Sequence, residues 1–156
     1  RESMLEKDLK EIKKNYDVIL IDCPPSLNIL TINAFKAANS ILVPIQCEFY
    51  AMEGLTQLIN TINLVKQKLN PSIEIEGVVF TMYDSRTNLS QQVVDEITAF
   101  LPKKVFKTMI PRNVRLAEAP SYGLPVIYYD TTSKGSESYK ELAEEFIQRS
   151  LSGKKR

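Results

Sequence analysis

Apolar positions fall into short continuous runs that alternate with stripes at helical spacing. Leu5, Leu9 and Ile12 recur on one face of a charged stretch, which predicts a helix over 1–14. DVILIDC, Asp17–Cys23, is short, β-branched and unbroken, the pattern of a buried strand in a parallel sheet. Pro24 and Pro25 stop it, and a helix over 28–38 follows. SILVPIQ, Ser40–Gln46, predicts a second buried strand, with Pro44 weakening its pairing near the end. Leu55, Leu58, Ile59, Ile62, Val65 and Leu69 stripe a long helix over 51–69, which Asn70 and Pro71 end.

The same reading continues to the end of the chain. A third strand lies within 73–83, with GVVFTM as its core, and a helix covers 89–101. A short strand spans 105–110, and a loop with one helical turn spans 111–123. The apolar run Val126–Tyr129 predicts a last strand. Tyr139, Leu142, Ala143, Phe146 and Ile147 stripe a last helix over 135–151. Strands alternating with helices predict an α/β protein, a mostly parallel sheet with helices on both faces. Residues 1–151 are read as part of one domain and 152–156 as a disordered tail. In such sheets ligands gather at the carboxyl ends of the strands. The segments to inspect are therefore Asp22–Ser26, Gln46–Tyr50, Thr81–Thr87 and Ile110–Arg115.

Composition narrows the chemistry. The 156 residues carry 20 Lys and Arg against 19 Asp and Glu, a net charge of +1, so nucleic-acid binding requires a local patch. Histidine is absent, which excludes Ser-His and Cys-His nucleophilic sites. Two cysteines, Cys23 and Cys47, form no metal-binding pair and fit a reducing compartment. No apolar run approaches the ~20 residues of a membrane helix.

Asp22 ends an apolar run, where a carboxylate needs a cation or donors beside it. Such an acid either holds Mg²⁺ next to nucleotide phosphates or caps the following turn. Two prolines after it fix a rigid connection, which serves either as a phosphate-sensing switch or as a plain entry to the next helix, capped by Ser26 or Asn28. Glu48-Phe49-Tyr50 lies at the rim of the same strand ends, or simply opens the long helix. Arg112, Arg115 and Lys134 follow the later strands, with Lys103, Lys104, Lys107 and Lys140 as weaker companions. They form either a phosphate-binding face or an ordinary solvated surface, and no base-readout motif accompanies them.

YDVILIDCPPSL resembles the Walker B and switch II segment of the ParA/Soj family of deviant P-loop ATPases. PIQCEFYAMEGL, TMYDSRTNL, IPRNVRLAEAPSYGLPVIYYD and SKGSESYKELAEE continue the resemblance in the family's order over nearly the whole chain. It implies a P-loop NTPase-like fold and a chromosome- or plasmid-partitioning ATPase. It further implies an ATP-dependent homodimer, nonspecific DNA binding and stimulation by a ParB/Spo0J-type centromere-binding partner. Such a protein is cytoplasmic and nucleoid-associated, without a membrane anchor.

On this resemblance Asp22 takes the Mg²⁺ role, and Asp22, Pro24, Pro25 and Ser26 the switch role. Thr81, Met82, Pro111, Arg112 and Asn113 border the adenine, although core packing remains an equal reading of Met82. Arg112, Arg115 and Lys134 contact DNA.

The five glycines at 54, 77, 123, 135 and 153 form no cluster, and no GxxxxGK[ST] or deviant form of it occurs. A phosphate cradle needs clustered backbone N–H groups at a helix start together with a lysine. The family places that loop, and N-terminal strands of its sheet, ahead of Arg1. The expectation is an incomplete sheet and a C-terminal portion of a longer protein. ATP and Mg²⁺ belong to the intact protein, and neither binding nor catalysis is expected of this chain alone. Two alternatives stand beside this reading: a MinD-like regulator of the division site, and a non-catalytic module that binds DNA or a partner.

Overall fold

The computed structural model describes residues 4–24, 26 and 28–153, the last three as backbone alone. The chain divides into two compact units, residues 1–42 with 54–76, and residues 43–53 with 77–156. Strand β1 (Ser40–Gln46), helix α3 (Ala51–Lys68) and strand β2 (Glu74–Thr81) follow in order, and β1 and β2 pair in a two-stranded sheet. A helix joining two neighbouring strands is the crossover that a parallel α/β sheet requires.

In the first unit, α1 (Met4–Ile12) packs on α2 (Ile29–Ala37). Asn28 starts α2, its side-chain oxygen accepting the N–H groups of Leu30 at 2.9 Å and Thr31 at 3.2 Å. Phe35 from α2, Ile62 and Val65 from α3, and Ile73 form the core, with Ile41, Leu58, Leu69 and Ile75 against it. Asn70 ties this unit together. Its buried Nδ2 donates to the carbonyls of Phe35 (3.0 Å), Lys36 (3.3 Å) and Ala38 (2.9 Å), which are orphan acceptors at the end of α2.

The apolar run Asp17–Cys23 is not a strand here. It makes no ladder among the described residues, and Val18 and Leu20 are 47% and 80% exposed. A strand is completed by its neighbours' donors and acceptors, and no described segment pairs with this one.

In the second unit, Val78, Phe80, Ile97, Phe106 and Ile110 are almost fully enclosed. Helix α4 (Asn88–Phe100) supplies Val93, Val94 and Ile97, capped by the Thr87 hydroxyl. The strand expected over 105–110 is reduced to two isolated parallel bridges to the β2 side, Val78 with Val105 and Tyr83 with Pro111. Tyr83 lies five positions after Val78 but Pro111 six positions after Val105, so one extra residue breaks the register. Gly77 permits the close approach: a Cβ there would meet the Phe106 ring and lie 2.6 Å from the Lys104 carbonyl oxygen.

The run over 114–130 is helical throughout its ordered pieces: α5 (Val114–Glu118), a 3₁₀ turn (Ala119–Tyr122) and α6 (Val126–Tyr129). The last of these replaces the expected final strand. Pro125 sets the turn, its carbonyl accepting the N–H groups of Tyr128 at 2.9 Å and Tyr129 at 3.0 Å, so the apolar run satisfies its backbone locally. Helix α7 (Lys134–Gly153) closes the chain's described part and continues two residues beyond the expected helix end at 151.

Candidate functional site

Three of the four segments chosen from the strand-end rule meet in the second unit. The Cys47 N–H reaches the Thr81 carbonyl at 3.3 Å, which joins the end of β1 to the end of β2. Beyond Thr81, the Tyr83 N–H donates to the Ile110 carbonyl at 3.1 Å, and the Arg112 N–H returns to the Tyr83 carbonyl at 3.0 Å. Thr81 and Met82 are thereby held beside Pro111 and Arg112. Met82 has φ 51°, the left-handed region, and is 41% exposed. A non-glycine residue there carries backbone strain, sustained by the hydrogen bonds on either side of it. The position is a bent strand end with an exposed side chain, so Met82 does not fill the core. Asn113 is the N-cap of α5, its Oδ1 accepting the Arg115 N–H at 3.0 Å.

The loop after Met82 is charged. Arg86 grips Asp84 through Nε at 2.9 Å and Nη2 at 2.7 Å, and its own N–H adds a third bond at 3.0 Å. These bonds, with a smaller contribution from the charge of Arg112, lower the Asp84 carboxyl to about 2. The sequence reading did not single out Arg86. The signal available was the Asp-x-Arg spacing within a polar turn, which closes an Asx turn.

Arg112, Arg115 and Lys134 are all exposed. Arg115 lies on α5 and Lys134 begins α7, and these helices touch: a Cβ on Gly135 would come within 2.6 Å of Leu116 Cγ. Arg115 is the paired member of the group. Its Nη1 donates to Glu118 Oε2 at 2.8 Å, and its Nε lies 3.2 Å from Asp130 Oδ2. The Tyr129 hydroxyl donates to the same Glu118 oxygen at 3.0 Å, and the Tyr129 ring stacks on Tyr122 at 4.9 Å. Hydrogen bonds from Arg115 and then Tyr129 hold the Glu118 carboxyl below its ordinary value.

The fourth segment belongs to the first unit. Asp22 and Pro24 are exposed, while Pro25 lies outside the described residues. Ser26 supports the entry to α2: its carbonyl accepts the Thr31 hydroxyl at 2.6 Å, and its Oγ accepts Asn28 Nδ2 at 3.0 Å. Among the described residues no three carboxylates or thiols gather at a point, and the glycines are scattered. A single exposed carboxylate without a nest of backbone amides does not fit a magnesium triphosphate. The residues present are therefore not a complete site for that group.

No helix of the described chain is long and apolar enough to cross a membrane. A family model described as an AAA domain matches residues 1–75. Among solved structures, Mycobacterium smegmatis cobyrinic acid a,c-diamide synthase with bound ADP and magnesium superposes with a TM-score of 0.77 at 35% identity. That match covers 97% of this chain and 55% of the other. The cell division ATPase MinD of Pyrococcus furiosus gives a TM-score of 0.75 at 22% identity over 95% of this chain and 59% of its own, a likeness of fold alone. The fold is thus α/β and P-loop NTPase-like, shared with both of these proteins.

Sequence relatives narrow the class. The sporulation initiation inhibitor protein Soj of Bacillus subtilis is 56% identical over 145 residues, 93% of this chain and 57% of that protein. The chromosome partitioning protein ParA of Myxococcus xanthus is 54% identical over 149 residues, 96% of this chain and 53% of that protein. Over the part of those proteins that it spans, little more than half of their length, the chain is a homologue of the Soj/ParA chromosome-partitioning family.

Proposed function

We propose that this chain forms the base-bordering and DNA-facing portion of a chromosome- or plasmid-partitioning ATPase. The whole protein would hydrolyse ATP to ADP and phosphate with Mg²⁺. It would dimerise with ATP, bind duplex DNA without sequence preference and answer to a ParB-type partner, at the nucleoid in the cytoplasm. The observation that carries the reading is identity above one half to Soj and ParA proteins across more than nine-tenths of the chain. The hydrogen bonds that bring 81–83 beside 110–112 support a nucleobase site bordered by Thr81, Met82, Pro111, Arg112 and Asn113. In this reading Asp22 contributes to Mg²⁺ in the whole protein, and 22–26 is the switch. Arg112, Arg115 and Lys134 meet DNA phosphates, with backbone contacts giving affinity and no base edge being read.

Duplex binding measured against salt tests this. The chain is expected to bind a mixed-sequence DNA duplex more weakly as salt rises, and Arg112→Ala is expected to lower the slope of log K against log salt by about one. An Arg112→Ala protein with the wild-type affinity and slope would remove Arg112 from the DNA face.

A further inference from the structure

We propose that Glu118 and Asp130 set the affinity of the DNA face by competing with phosphate for the Arg115 guanidinium. The proposal rests on the DNA reading above and assigns two residues that this reading leaves without a role. Arg115 is held from two sides, by Glu118 Oε2 at 2.8 Å and by Asp130 Oδ2 at 3.2 Å. Both acids are themselves fixed. Glu118 accepts the Tyr129 hydroxyl at 3.0 Å, and the other oxygen of Asp130 accepts the N–H and hydroxyl of Thr132, each at 3.2 Å. Neither carboxylate has to be ordered when it takes the arginine, so its hold on the cation costs little side-chain entropy.

Among the described residues, Arg112 and Lys134 have no ion pair of this kind. Of the three cations, Arg115 alone meets an approaching phosphate already neutralised. A guanidinium has five N–H donors, and the two contacts to carboxylate leave others for a phosphate oxygen. The phosphate then shares the arginine with two anions or displaces them. In either case the acids oppose binding through Arg115. The side chains of Arg115, Glu118 and Asp130 are 48%, 36% and 27% exposed, so solvent screens the competition and keeps it modest. An exposed pair of this sort corresponds to about a two- to fivefold effect on affinity for each acid.

The test is fluorescence anisotropy with a labelled mixed-sequence DNA duplex at fixed low salt. Wild type, Glu118→Gln, Asp130→Asn and Arg115→Ala are compared, together with each acid substitution combined with Arg115→Ala. Asp130→Asn keeps an acceptor for the Thr132 turn, so the test does not depend on Glu118→Gln folding normally. Each single acid variant is expected to bind about two- to fivefold more tightly than wild type. That gain is expected to vanish in the Arg115→Ala background, because no arginine remains to be released. An equal gain with and without Arg115 would mean that the acids act only through total charge, and would overturn the proposal. Unchanged or weaker binding in both single acid variants would overturn it as well. Failure of the underlying DNA reading looks different: neither wild type nor any variant would bind duplex at low salt.

Discussion

The Asn70 carboxamide faces the carbonyls of Phe35, Lys36 and Ala38 with one nitrogen, while its oxygen accepts the Ser72 hydroxyl at 2.8 Å. Asn70→Ala would leave the buried Phe35 carbonyl and the part-buried carbonyls of Lys36 and Ala38 without their donor. A loss of about 1–3 kcal/mol is expected, read as a lower urea midpoint with an unchanged m-value. A midpoint equal to wild type would show that the carbonyls find other donors. In the sequence Asn70 is legible only as the end of a long helix, because its acceptors lie more than thirty positions earlier. The same limit applies to Arg115. Its cationic character is plain in the sequence, but its two acidic partners are brought to it by folding. Arg112 and Asn113, by contrast, lie in a short loop whose place between the apolar run over 105–110 and the next helical turn could be read directly.

Elements defined by local signals were legible to within a residue or two. Ser40–Gln46 is a strand as its apolar run predicts, and the helices after Asn28, Tyr50 and Thr87 begin within a residue of the expected starts. The misread elements are runs whose pattern permits two outcomes. Val126–Tyr129 has the composition of a strand, yet Pro125 and local N–H donation wind it into a turn of helix. Asp17–Cys23 has a strand's composition without a described partner strand. The segment over 105–108 is fixed by a helix rather than by a full ladder. Glu145 of α7 accepts the N–H groups of Lys107 at 2.8 Å and Thr108 at 2.9 Å, and Arg149 caps the Val105 carbonyl at 2.6 Å while lying 3.9 Å from the centre of the Phe106 ring.

Burial pushes the Glu145 carboxyl up, but the Lys107 and Thr108 donors and Arg149 outweigh it, and the net shift is below the ordinary 4.5. The folded state therefore binds this proton less readily than the unfolded chain. The stabilisation is complete above the ordinary glutamate value and disappears as pH falls through the lower, folded value. Glu145→Gln is expected to destabilise by about 1–3 kcal/mol near neutral pH. The gap in urea midpoint between the two proteins is expected to narrow on acidification below about pH 4. A gap independent of pH would show that the ionised carboxylate is not what holds the segment.

At the scale of the molecule, the chain matches part of a larger family pattern. Its relatives are matched over little more than half their length. The family resemblance was legible because five separate motifs recur in order, whereas any one of them alone is a common α/β feature. The fold class was legible from alternation of strands and helices. The strand-end rule selects 46–50, 81–87 and 110–115 from the sequence; what the sequence does not carry is which backbone hydrogen bonds between these distant segments hold them together.

The central claim is that Asp22 and the surrounding residues become a magnesium triphosphate site only together with a phosphate-binding loop that this sequence does not contain. Phosphate release from Mg-ATP by the purified 156-residue chain measures this directly. The expected result is no release above that of an Asp22→Ala control. Steady turnover by the wild-type chain that Asp22→Ala abolishes would contradict the account.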